Sequence, residues 1–137
     1  MLYAIGYMRH HMIVVTSWDD LRIQEAHAKA IEIFSWANMG LVNQGIVGVT
    51  PIFTSPVNHY HTFFVPPDGS KEGWSDSEDG DTGRALFIEW LNAQRYADGS
   101  TRLNWAEVQY GDEEQDNRIL RHDGEVVPGS VDNNKQS

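Results

Sequence analysis

Cysteine is absent from all 137 residues, which excludes a disulfide framework and any thiolate metal site. Nothing in the chain therefore points to an oxidising compartment. Long apolar runs are missing too: no stretch approaches the roughly 20 residues of a membrane span. Met1 to Met12 has neither the extended apolar region nor the small-residue cleavage site of a signal peptide. Basic residues are few, ten against twenty acidic ones, and a formal charge of −10 repels phosphate backbones and anionic membranes. These absences predict a cytoplasmic protein of one domain that binds neither nucleic acid nor membrane.

Chemical signatures are equally sparse. Gly40, Gly45 and Gly48 match neither the dinucleotide nor the P-loop spacing, and Gly73-Trp74-Ser75-Asp76-Ser77 lacks the closing glycine of a nucleophile elbow. No cofactor is called for by any spacing, and paired carboxylates occur without a pattern that places them as acid and base.

What the chain does contain is an apolar stretch from Ile46 to Trp74, punctuated by turn residues, that reads as a β-meander. Ile46 to Phe53 supplies one strand, Ser55 to Asn58 a turn and His59 to Val65 a second strand. Alternation puts His59, His61, Phe63 and Val65 on one face, with Tyr60, Thr62 and Phe64 on the other. Upstream, Met1 to His11 carries no period and reads as a leader, or else as a strand that pairs with a partner chain; Met12 to Thr16 opens the fold. Ser17 has the character of an N-cap for a helix from Trp18 to Gly40, whose core face is Ile23, Ala26, Ala30, Ile33, Phe34 and Ala37. Downstream, 73–83 reads as a polar acidic loop and a second helix starts near Thr82 or Gly83. Its core face is Leu86, Phe87, Trp90, Leu91, Ala93 and Ala97, and Asp98-Gly99 ends it. Leu103 to Tyr110 and Arg118 to Arg121 form a hairpin, and residues 128–137 read as a disordered tail beyond a domain spanning 12–127. The fold class is α+β: two helices on a mainly antiparallel sheet in the order β-α-ββ-α-ββ. A ferredoxin-like arrangement with an extra strand and a sandwich of another topology both satisfy that order.

Two clusters invite metals. His59 and His61, two apart on a strand, can share an ion, with His122 as a third ligand. Without a fixed spacing to that third ligand the preferred reading is rim histidines bonded to neighbours, and no metal is assigned. Asp76, Glu78, Asp79 and Asp81 suggest calcium, but an EF-hand register from Glu78 puts Gly80 and Thr82 where ligands are needed. The motif is rejected.

The stretches SWDD, VTPIFTSPVN, VPPDGSKEGW and WAEVQYGDEE together make the chain resemble small bacterial proteins of the kind carried on integron gene cassettes and prophages. That resemblance implies a stand-alone accessory protein that forms oligomers, and it carries no site residues.

Two functions remain in view. The first is a non-enzymatic interaction protein, either a homodimer joined through a sheet with apolar residues on both faces or an acidic partner of a basic protein. Glu72 to Asp81 and Asp112 to Asp116 hold nine of the twenty acids and supply the negative surface that such a partner needs. The second is a small-molecule binding domain or enzyme, with a pocket lined by Tyr60, Phe64, Trp74 and Trp105 and with His59 or His61 as its polar group.

Overall fold

The computed structural model describes residues 8–36, 48–69, 73 and 75–124. Strand β1 spans Arg9–Ser17, helix α1 Asp20–Trp36, β2 Phe53–Thr54, β3 His61–Val65, helix α2 Ser75–Ala93, β4 Asn104–Gly111 and β5 Arg118–His122. A single 3₁₀ turn, Glu114–Asp116, bridges the last two strands. The strands form one antiparallel sheet in the order β2-β3-β1-β4-β5. The class is α+β, as the sequence implies. The pairing is compatible with a ferredoxin-like arrangement that carries β5 as its extra edge strand.

The β-branched run Ile13-Val14-Val15-Thr16 makes β1 the centre of the sheet, with Val15 opposite Phe63 on one side and Trp105 on the other. Strand alternation then sorts the side chains. Ile13, Val15, Phe63, Val65, Leu103 and Trp105 face the helices and meet Ile23, Ala26, Ala30, Phe34, Phe87, Ile88 and Leu91 in one buried core. Gly83 lets the helices close up, because a Cβ there would lie 2.9 Å from the Phe34 ring.

Several boundaries differ from the sequence expectation, each for a physical reason. β1 begins at Arg9, so Arg9, His10 and His11 belong to the sheet and only 1–7 of the expected leader lie outside the described residues. Their pairing with Gln109, Tyr110 and Gly111 supplies backbone order that a search for apolar period misses. Asp19, rather than Ser17, caps α1: its Oδ1 accepts from the amides of Leu21 at 3.1 Å and Arg22 at 3.2 Å. Ser17 stays in the strand, donating to the Arg102 carbonyl.

The largest correction concerns the acidic segment. Residues 75–81 are the first turns of α2 and not a loop. Carboxylates near a helix N-terminus are favoured by its dipole, and Gly80 and Gly83 are accommodated because each is buried against a neighbour. At the other end α2 stops at Ala93, so Ala97 lies in the following turn, and Leu86 and Ala93 face solvent.

β2 is also shorter than expected, two residues, and Ile46 and Val47 fall outside the described residues, as does Ala37. Asn58 and His59 both take positive φ, 58° and 54°, and turn the chain into β3. The expected alternation from His59 is therefore broken before the strand starts. The expected tail at 128–137 lies outside the described residues.

Candidate functional site

Of the six residues expected to build a pocket, five are described, and Phe64 and Trp105 among them project from opposite faces of the sheet. Trp105 is buried among the core residues on the helix-covered face, whereas Phe64, paired with Val14, projects from the opposite face. Tyr60 and His59 are exposed in the β2–β3 connection. His61 sits at the start of β3, where its Nδ1 shares a hydrogen bond with Thr54 Oγ1 at 2.9 Å and its Nε2 lies 3.9 Å from Asp20. Trp74 lies outside the described residues. His122 is three strands from His61 in the sheet order, roughly 14 Å at ordinary strand spacing. Among the described residues no group of three or more ligating side chains can hold a metal.

Three other features are better defined, of which the sequence anticipates the second, a sheet with apolar residues on both faces. The first is a charge cluster at the end of the helix-covered face. Along β4 the inward positions change from Leu103 and Trp105 to Glu107 and Gln109, so the apolar core gives way to a buried carboxylate that is 1% exposed. Arg121 on β5 donates to Glu107 Oε1 at 2.6 Å. Arg84 on α2, 2% exposed, approaches Oε2 at 4.0 Å while binding Asp68 at 3.2 Å and Asp81 at 2.7 Å. Next to it, Gln109 donates to the Asp116 carbonyl at 2.9 Å.

His11 completes this cluster, with Nδ1 3.8 Å from Glu107 Oε2 and no hydrogen-bond partner of its own. Burial pushes its pKa below the ordinary histidine value. The Arg84 charge acts in the same direction, and the Glu107 charge opposes them. An imidazole beside a carboxylate is the raw material of acid–base chemistry. Here the Glu107 and Arg84 side chains are 2% exposed and that of His11 13%. The arrangement ties α2, β4, β5 and the segment after β3 together and acts as a polar lock.

The second feature is the opposite face of the sheet. Met12, Val14, Phe64, Ala106 and Val108 lie there on central strands, yet all are only half-buried, because both helices pack on the other side. Toward the edges the same face carries Phe53, 54% exposed, and Ile119, 60% exposed. Thr16 and Thr62 share a hydrogen bond across it at 2.9 Å, and His10 packs on Tyr110 with ring centroids 5.2 Å apart. No strand residue on this face is a carboxylate, in a chain of charge −10.

A third surface lies where β1 ends and β4 begins. The Arg102 guanidinium stands 5.0 Å from the Trp18 ring and 5.5 Å from that of Tyr96, and Arg22 is 5.8 Å from Tyr96. Arg102 also binds Asp19 at 2.7 Å, and that hydrogen bond, with the backbone amides of the helix cap, holds the Asp19 carboxyl below its usual range. The stack fixes exposed aromatics in place.

Alternation from β1 outward would have revealed the open face in the sequence, since Met12, Val14 and Thr16 are spaced by two. The charge cluster left no such signal, because Arg84, Glu107 and Arg121 meet only through the register of β4 with β5 and the approach of α2. Comparison with protein-family models, with curated proteins and with solved structures found no match.

Proposed function

We propose that this chain is a non-enzymatic interaction protein that forms a homodimer through the open face of its sheet. The observation that carries this is the charge-free apolar face running from Phe53 to Ile119. The 29 residues of the five strands, at about 3.4 Å rise and about 4.8 Å strand spacing, give a face of roughly 470 Å² in plan. That is the same order as the ~800 Å² per partner of a stable interface.

A second copy is the occupant that best fits the charge pattern. Two chains of −10 repel wherever their acidic surfaces meet, and this face has no strand carboxylate to oppose contact. One self-complementary patch serves both subunits of a twofold dimer. Such a protein accords with the stand-alone accessory role that the resemblance to integron-cassette and prophage proteins implies, and with a cytoplasmic setting. Sedimentation velocity on the wild type and on Val14→Glu and Ile119→Glu tests the reading. The wild type is expected to sediment as a dimer and both variants as folded monomers; variants that stay dimeric would remove this face from the contact.

A basic protein partner is a second reading, favoured by where the acids gather. Asp79 and Asp81 in the first turns of α2 and Asp112 and Glu114 between β4 and β5 lie at the end of the sheet where Met8 enters β1. A partner held there would be lost at high salt, so recovery from a host lysate at low but not high ionic strength is the expected result. No described feature favours the pocket reading over these two.

A further inference from the structure

We infer that self-association of this protein is switched by pH through His10, the dimer being the neutral-pH form; this rests on the open-face reading above. His10 is the residue of β1 that places an imidazole on the open face, opposite Tyr110 of β4 and packed against its ring at a 46° tilt. Its neighbours in sequence, Arg9 and His11, point to the helix side, where they meet Asp116 and Glu107.

The other ionisable groups bordering the face are few. His122 on β5 lies opposite Ala106 and accepts the Gly124 amide at Nδ1. Asp112, at the end of β4, accepts the Met8 amide at 3.0 Å, and Asp123, after β5, accepts from Asn104 at 3.0 Å. Neither carboxylate forms a hydrogen bond or ion pair with His10. A neutral imidazole packed on a phenol ring costs far less to bury between two sheets than a charged one. A protonated one must be desolvated, and a twofold axis brings two of them to the same interface.

Imidazoles in general change charge between pH 5 and 8. An interface that must bury two neutral imidazoles weakens by up to about 100-fold in dissociation constant for each pH unit over which imidazoles gain their charge.

The test is light scattering after size exclusion at pH 8.0 and pH 5.5, with near-ultraviolet circular dichroism at both, on wild type and on His10→Asn. The expected result is a wild-type dimer at pH 8.0, a folded wild-type monomer at pH 5.5 and a His10→Asn dimer at both. A wild-type monomer at pH 8.0 overturns the open-face reading itself. A wild-type dimer at both values overturns the switch and leaves the reading intact. Equal dissociation of wild type and variant removes the switch from His10. Loss of the near-ultraviolet signal at pH 5.5 assigns the change to acid unfolding, with buried His11 as the first suspect.

Discussion

Arg121 Nε donates to Glu107 Oε1 at 2.6 Å across the β4–β5 pairing, and this contact turns a carboxylate buried in the sheet into part of the fold's framework. Because Arg84 approaches the same carboxylate from α2, Glu107 joins the last strand and the second helix to the centre of the sheet. Taking away one partner of a buried ion pair costs up to about 3–5 kcal/mol. Arg84→Ala is expected to fall in that range by urea unfolding. Arg121→Ala, at the exposed rim, should cost clearly less.

Gly80 offers a sharper test of the same cluster. Alanine is favoured over glycine inside a helix by about 1 kcal/mol. At this position, however, a Cβ would collide with Asp68 Oδ2 and fall 3.1 Å from Arg84 Nη1. Gly80→Ala should therefore destabilise the wild type by displacing Asp68 from Arg84. In an Asp68→Ala background the same substitution should turn neutral or stabilising. A double-mutant cycle by urea unfolding reads the difference, and additivity within experimental error would show that Gly80 does not serve the ion pair.

His11 predicts an acid-side loss of stability. An unfolded histidine titrates near pH 6.5, and burial holds the folded side chain below that. As pH falls through 6.5 the unfolded chain takes up the proton first, so stability declines from there until the folded imidazole also protonates. Above pH 6.5 the group contributes no slope. His11→Gln should flatten the profile between pH 7 and 5 in urea titrations.

How much of this was legible in the chain differs element by element. The apolar face of α1 at Ile23, Ala26, Ala30 and Phe34 and the hairpin from Leu103 onward could be read directly, because their periods are intact. The start of α2 could not, since Ser75 to Gly83 contains two glycines and no apolar period. Its packing rests on contacts that no local pattern shows, Gly83 against Phe34 and Arg84 with Asp68. The placement of Phe64 and Trp105 was hidden for a related reason. Phe64 and Trp105 sit on strands separated by β1, and only the register decides that they project from opposite faces. The candidate dimer face, by contrast, was present in the meander as apolar residues on both sides of one strand.

The cap at Asp19 extends the same contrast to α1. Its side chain accepts from two helix amides and from Arg102. Asp19→Ala should cost about 0.5–2 kcal/mol in unfolding measurements, while Ser17→Ala should loosen the hold of the Arg102 carbonyl on β1. Asp19→Asn, which keeps the cap and weakens the pair with Arg102, should lose only a few tenths, since an exposed pair contributes at most about 1 kcal/mol.

The proposal of a dimer through the open sheet face meets its most direct test in the solution mass of the unmodified chain near neutral pH at micromolar concentration. Light scattering should give twice the 15.5 kDa of one chain, and Val14→Glu should return it to 15.5 kDa with the circular dichroism spectrum unchanged. A wild-type mass of 15.5 kDa under those conditions would contradict the proposal.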